Sequence, residues 1–403
     1  MAVATTQALP VAIVGAGVAG LALAVMLRRQ GVGVSLFEAR PREALSEGAF
    51  LTLAPNGINA LRALGLADRI SALGIRTLGF EIMNAAGRRL IQLDERQAMH
   101  EAGAESITLR RSDLLGALLE EALALGADVR FGHALAEIQD RPDGVRMAFA
   151  NGATADAGWL AGCDGVWSRV RRLCFPASPD PVYTGLTGVG GVTDLPFVEP
   201  TDGLMHMVFG DQAFFGYIKS GDGPVFWFDS FPLDETAAMA KPDPVQLAQT
   251  VRRLHAGDPP VVRRVVETLT HVPRGYPVFD MRHLPRWHSG RVVLLGDAAH
   301  AVSPHAGQGA SMAIEDAVVL AACLDATPPP EQAFAAFQAL RQDRVEHIVK
   351  ISRRIGSQKR TKGRVALFLR DLILPFFIRL GSRSTRAVTR FRADLAPLEK
   401  PSI

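Results

Sequence analysis

Three cysteines, Cys163, Cys174 and Cys323, are all that the 403 residues carry. They are few and odd in number, so they build neither a disulfide framework nor a thiolate metal site, which suits a reducing cytoplasm. A surplus of charge is also missing, since 44 Lys and Arg against 41 Asp and Glu leave a formal net charge of +3. The arginines are scattered in pairs (Arg28–Arg29, Arg171–Arg172, Arg263–Arg264, Arg353–Arg354) and form no stripe, which argues against a nucleic-acid binder. No charged residue occurs from Thr5 to Leu27. A secretory leader needs Lys or Arg ahead of its apolar run, and the first one here is Arg28. Glycines within that run point to a buried strand and helix instead. The remaining balance, 48% hydrophobic and 21% charged, is that of a globular chain, with length for roughly two or three domains.

The run begins with a short β-branched strand, Val11 to Val14, followed by Gly15-Ala16-Gly17-Val18-Ala19-Gly20. A helix from Leu21 to Arg29, a second strand from Val32 to Phe37 and then Glu38 complete the unit. Each part has a task in holding a dinucleotide. Gly15 allows the tight turn, Gly17 lets a pyrophosphate approach the backbone, and Gly20 lets helix pack on strand. The helix start offers free N–H groups to the pyrophosphate. Glu38 is placed to accept hydrogen bonds from a ribose diol and would repel a 2′-phosphate, so FAD or NAD fits better than NADP.

Further along, Pro55-Asn56-Gly57 opens a helix, residues 78–93 read as paired strands, and Arg111 precedes the helix Leu114 to Leu125. A meander over 129–160 ends in Asp164-Gly165-Val166-Trp167-Ser168-Arg169, which fits a binding loop or simply a helix cap. The buried strand Arg291 to Leu295 runs into Gly296-Asp297-Ala298-Ala299-His300. Asp297, at a strand's carboxyl end, can reach sugar hydroxyls. Pro304 and Gly307-Gln308-Gly309 then lead into a helix carrying Glu315 and Asp316. A second glycine turn at a helix start implies a long cofactor held at several places.

Together these motifs resemble the single-component (class A) flavoprotein monooxygenases of the para-hydroxybenzoate hydroxylase fold. The resemblance rests on GAGVAG at 15–20 with Glu38, Arg111 before Leu114, DGVWSRVR at 164–171, and GDAAH with PHAGQG at 296–309. It implies that Gly15, Gly17, Gly20 and Glu38 hold the adenosine and pyrophosphate of FAD. It places Arg111 on the flavin side, Asp297 on the ribityl chain, and Pro304, Gly307, Gln308 and Gly309 along the isoalloxazine ring. Asp164 is linked to FAD and NADPH together. No separate NADPH domain is implied, in keeping with a single GxGxxG. Ser311 stands where many members have Asn, and losing one neutral hydrogen bond, about 0.5–1.5 kcal/mol, adjusts flavin contact without abolishing it.

The fold expected is α/β: a Rossmann-like FAD-binding domain (1–77, 94–175 and 276–345), an inserted antiparallel-sheet substrate domain (78–93 and 176–275), and C-terminal helices (346–403). Aromatic-rich strands at Met205–Phe209, Phe214–Ile218 and Val225–Phe231 would lay an apolar surface over the flavin. His206 and Tyr217 are the polar candidates for positioning a substrate. The segment Val365 to Leu380 is too interrupted to span a bilayer. Its apolar positions 365, 368, 369, 372 and 376 share one helical face, read as packed across both domains. The alternative is a monotopic membrane contact supported by Arg383, Arg386, Arg390 and Arg392. The resemblance implies an FAD-dependent monooxygenase that uses NADPH or NADH and dioxygen to hydroxylate an aromatic or other electron-rich apolar molecule through a flavin 4a-hydroperoxide. The alternatives are an epoxidase or flavin reductase of a polyprenyl or terpenoid substrate, and a flavin-loaded binding protein without turnover.

Overall fold

The computed structural model describes residues 9–240, 242–272, 274–327, 329–361 and 363–393, the side chains of 380–385 excepted. Residues 1–8 and 394–403, which the expected domains include, lie outside the described residues. Val11–Val14 is buried along its whole length, as a strand covered on both faces must be. It sits inside a six-stranded sheet, in the order His288–Ser289, Val292–Leu294, Leu160–Gly162, Val11–Val14, Val34–Phe37, Asp128–Arg130. All neighbours run parallel except the first pair. Helices Val18–Arg29, Arg111–Ala124 and Gly309–Ala326 share one core with these strands. The three strand ends carrying the glycine–acid motifs, at Val14, Gly162 and Leu294, are therefore adjacent in register.

Of the meander read over 129–160, Leu135–Arg141, Gly144–Phe149 and Thr154–Ala157 form a separate three-stranded sheet while its two ends join the six-stranded one, and Phe50–Leu53, Ile107–Arg110 and Ile75–Arg76 form a further three-stranded sheet. A seven-stranded sheet runs Tyr276–Asp280, Val182–Thr193, Val225–Pro232, Phe214–Ile218, Leu204–Phe209, Gly79–Asn84, Arg89–Asp94. It is antiparallel except where Leu204–Phe209 meets Gly79–Asn84 in parallel, because the 79–94 hairpin arrives from a distant part of the chain. Tyr276–Asp280 pairs with Val182–Thr193 in this sheet, although the sequence reading begins the other domain at 276. The long strand Val182–Thr193 was not anticipated either. Its Gly188, Gly190 and Gly191 are poor strand formers by composition, but a Cβ at Gly191 would lie 3.1 Å from the Trp227 ring and one at Gly190 2.9 Å from the Trp227 carbonyl. The neighbouring strand needs those glycines.

Strand alternation divides the sheet into two unlike faces. Val208, Phe215, Tyr217 and Trp227 pack against helices Pro244–Leu254 and Pro260–Glu267. Met205, Ile218 and Phe226 face the other way, with Phe50, Phe80, Met207 and Phe228 around them.

The C-terminal helix, Arg364–Thr389, crosses from this second face to the first core, but not on the expected side. Leu374 and Ile378 pack on Ile82, Phe209 and Phe214. Arg370 donates to the Phe209 and Gly210 carbonyls at 2.9 and 3.0 Å. Val388 reaches the core of the six-stranded sheet. The stripe read as packed is in solvent: Val365, Phe368, Leu369, Leu372 and Phe376 are 75%, 67%, 46%, 65% and 64% exposed. At 100° per residue the anchoring side chains occupy the opposite face.

Candidate active site

The three glycines of the first motif have three different physical reasons. Gly15 has φ +108°, and a Cβ there would lie 2.5 Å from the Cys163 carbonyl. A Cβ on Gly20 would come within 1.9 Å of the Gly15 carbonyl, so only glycine lets the helix sit against the strand. A Cβ on Gly17 would meet nothing within 4 Å. The space above it is open, as a ligand-facing position at a helix start requires. Glu38 stands at the end of the next strand, 9% exposed. Its carboxylate accepts from Ala16 N at 2.8 Å and Arg40 N at 3.0 Å, which ties it to the same loop.

Gly296 has φ +56°, and a Cβ on it would lie 3.0 Å from Ala19 Cβ. The third motif is thus seated on the helix that the first motif opens. Asp297 is open to solvent, yet enough protein surrounds it that burial pushes its pKa up, against the pull of His300 and Arg111. A side chain both hemmed in and accessible marks the floor of a cleft. Arg111 lies in the same cleft. Burial and the charge of Arg40 lower its pKa, while Tyr276, Asp297 and Glu38 oppose the shift. Its Nη1 donates to the Glu47 carbonyl at 3.1 Å. Pro304 and Gly307 are exposed on the following loop, and Gly307 (φ +62°) has nothing within 4 Å of its Cβ position. Gln308 is buried and accepts from Asn56 Nδ2 at 2.9 Å, and Gly309 begins the helix Gly309–Ala326.

Asp164 resolves toward the helix-cap reading. Its carboxylate accepts from the Ser168 hydroxyl, from Arg169 N at 2.6 Å and from Val170 N at 3.0 Å. Its backbone nevertheless borders the first motif, 2.9 Å from the Gly15 Cβ position. Ser311 also differs from expectation. It is fully buried, its hydroxyl lies 2.4 Å from the Gly57 Cβ position, and it accepts from Ala54 N at 3.3 Å. The small side chain here serves close packing between two helices.

His206 and Tyr217 form a cross-strand pair, with His206 Nδ1 3.0 Å from the Tyr217 hydroxyl. Burial lowers the histidine's pKa and pushes the tyrosine's up to about 12. The structure places both on the face of the sheet turned away from Phe226 and Phe228. By the period of two they share the helix-covered face with Phe215 and Trp227.

The face beside the cleft is aromatic. Phe50, paired in register with Arg110, lies 5.4 Å from Phe226 and 5.9 Å from Phe228 between ring centroids. Phe228 continues to Phe214 at 5.6 Å. Over Phe214 sits Lys359 Nζ, 3.5 Å from the ring centroid. Lys359 is 9% exposed and has no hydrogen-bond or ion-pair partner among the described residues. Burial brings its ammonium down to about 7, with Asp229 opposing. Ser230, directly opposite Phe214 in register, has a buried hydroxyl without a partner. His305, from the glycine loop, packs on Gly356 of the helix Pro330–Gln358 that ends beside Lys359. Burial and that lysine keep its imidazole neutral, its pKa lowered to about 3. Lys359 and Ser230 did not stand out in the sequence, where Lys359 is one cation among many and Ser230 one hydroxyl in an apolar strand.

Beneath the loop is a fully buried network that was equally unforeseen. Asp316 accepts from Gly296 N at 2.9 Å and Arg341 Nε at 2.8 Å, and lies 2.6 Å from His300 Nε2. Burial alone would raise its pKa, but His300 and Arg341 hold it at about 2. Glu315 is held by Arg341, Arg344 and Asn56. The network clamps the strand end at Gly296 and the helix Gly309–Ala326 to the long helix behind.

An open space above Gly17 and above Gly307, with Asp297 at another strand end of the same sheet, fits an extended dinucleotide better than a compact ligand. Comparison with known proteins agrees. The family model described as FAD binding domain matches residues 8–351. The aurachin C monooxygenase/isomerase of Stigmatella aurantiaca is 32% identical over 97% of this chain and 99% of its own length. The 3-amino-4-hydroxybenzoate 2-monooxygenase of Streptomyces cremeus is 33% identical over 86% of this chain and 87% of its own. Among solved structures, Klebsiella pneumoniae HpxO complexed with FAD and uric acid superposes with a TM-score of 0.82 at 25% identity. It covers 97% of this chain and 98% of that one.

Proposed function

The chain belongs to the FAD binding domain family, and from that premise we propose that it is a monooxygenase that uses NAD(P)H and dioxygen to hydroxylate an electron-rich aromatic molecule. One observation carries the reading: three glycine–acid motifs follow adjacent strand ends of one sheet, with open space above Gly17 and Gly307. FAD is the cofactor, and when bound it supplies the redox chemistry, taking a hydride from the nicotinamide and activating dioxygen. The chain's own residues bind and shield it. Gly17 and the helix start at Val18 take the pyrophosphate, Gly15 and Gly20 shape the turn that lets them do so, and Glu38 takes a ribose. Asp297 and Arg111 hold the middle of the cofactor, and the loop from Pro304 to Gly309 borders the ring. Residues 276–280 contribute to the substrate side, so the working boundary between the two parts falls after Asp280.

Phe50, Phe214, Phe226 and Phe228 would keep water from the reacting face, so that activated oxygen goes to the substrate and is not released as hydrogen peroxide. At the far end of this surface Lys359 Nζ and Ser230 Oγ donate to an oxygen substituent of the ring. A carboxylate, phenolate or ring oxo group suits that pair. The names of the relatives, a hydroxybenzoate monooxygenase and a protein holding uric acid, support oxygenated aromatic substrates. The test is oxygen uptake with NAD(P)H across hydroxybenzoates, quinolones, indoles and prenylated compounds. Hydroxylated product with stoichiometric oxygen is expected from at least one class. Substrate-dependent NAD(P)H oxidation without oxygen would make the chain a reductase. No substrate-dependent oxidation by the FAD-loaded chain would leave a flavin-binding protein.

A further inference from the structure

The outward face of the C-terminal helix has no place in this chemistry. Seven apolar side chains between Val365 and Phe377 are each more than two-fifths exposed, in one continuous stripe. A contiguous surface of that kind marks an interaction site, whereas apolar residues exposed singly need no explanation. The surrounding charge is strongly one-sided: from His347 to Ala393 there are thirteen lysines and arginines and a single acid, Asp371. That acid is engaged by Asn84 and Arg370, and Asp280 and Glu101 of other elements pair with Arg353 and Arg390, so cations still outnumber acids along this part of the chain. Arg354, Arg360, Arg364 and Arg386 are exposed along this part of the chain. The Arg354 guanidinium lies 5.3 Å from the centroid of Phe377, its stem along the apolar stripe and its head in water.

We propose that the helix Arg364–Thr389 docks the chain on the surface of an anionic lipid bilayer, with Val365, Phe368, Leu372 and Phe376 entering the headgroup boundary. A second copy of the chain fits less well, because two such faces would bring their arginines together. No helix among the described residues is long and apolar enough to cross a membrane, so the helix lies in the interface plane. Its inner side holds Leu374 against Phe209 and Phe214 on the sheet, so docking needs no rearrangement of the site. The contact also brings the aromatic face of the sheet close to the lipid from which an apolar substrate would enter.

The experiment is flotation of the full-length FAD-loaded chain with two kinds of vesicle, phosphatidylcholine alone and phosphatidylcholine mixed with phosphatidylglycerol. Partitioning to the mixed vesicles is expected to be at least about tenfold stronger and to weaken with added salt. Phe368→Ser with Phe376→Ser should abolish it while FAD content, melting temperature and turnover of a detergent-dispersed substrate stay unchanged. Equal or absent partitioning to both vesicles would overturn the proposal. So would light scattering that shows a dimer of the parent chain dissociated by the same double substitution, since the stripe would then be covered by a second copy.

Discussion

Replacing Asp316 with Asn tests how firmly the buried network clamps the strand end at Gly296 to the long helix behind. The substitution keeps the side-chain size and removes one charge. Of the groups around Asp316, Gly296 N and Arg341 Nε are donors that cannot change roles. They bond to different carboxylate oxygens, so either orientation of an amide sets its NH₂ against one of them. A buried donor left unpaired costs about 1–3 kcal/mol. The native carboxyl is held at about 2 against a reference near 3.9, a shift equivalent to about 2–3 kcal/mol of folding stability at neutral pH. Arg341 keeps Glu315 as a partner, so the total should fall at roughly 3–5 kcal/mol, the range for breaking a buried pair. The pKa is depressed in the folded state. Its stabilisation is therefore complete above the unfolded value and is lost as pH falls through the folded one. The parent-minus-variant difference in urea unfolding should be flat from pH 7 to 5, with the charge-linked part about half gone near pH 3. A difference under about 1 kcal/mol, or one unchanged down to pH 3, would refute the reasoning.

Asp297→Ala should raise the dissociation constant for FAD about ten- to hundredfold, the loss of one charge-assisted hydrogen bond. Fluorescence titration reads this, and undiminished FAD retention would remove Asp297 from the site. Lys359→Met should raise KM at least about tenfold for substrates with an acidic oxygen and leave neutral analogues nearly unaffected. The same change should stabilise the fold. The lysine is about 7 when folded and near 10.4 unfolded, so the unfolded chain binds more protons between those values and parental stability rises with pH there. The gain in melting temperature should be full below pH 7 and gone above about pH 10.5, and a lower melting temperature at pH 6 would show that the ammonium has a partner. Tyr217→Phe should cost about 1 kcal/mol through its bond to His206 and change kcat/KM less than about threefold. A larger kinetic effect would return Tyr217 to the substrate side.

The motifs at Gly15–Gly20 and Gly296–Gly309 could be read from the sequence because they are demands of the backbone. A glycine at φ +108°, or one whose Cβ would strike a carbonyl at 1.9 Å, declares its conformation locally. The strand-turn-helix order around each of them does the same. Helix Pro55–Ala63 and strand Phe214–Ile218 were equally open to local reading. Val182–Thr193 was hidden because its glycines answer to Trp227 on another strand. The pairing of Arg341 with Asp316 was hidden too, since 25 residues and a helix boundary separate partners that only packing brings together.

Orientation is the second thing that local sequence withholds. The period of two placed His206 and Met207 on opposite faces of a strand, and the period of 3.6 gathered Val365, Phe368 and Phe376 on one side of a helix. Neither period says which side meets the cofactor and which meets solvent. Helices Pro244–Leu254 and Pro260–Glu267 took the His206 face, leaving the phenylalanines for the cleft. Arg370, Leu374 and Ile378 took the inner side of the last helix, pushing its more apolar stripe outward. Burial of Phe368 and its neighbours in the chain's own core would have stabilised the fold further. That the helix is instead anchored through its poorer face is the physical reason to look for an apolar partner outside the chain.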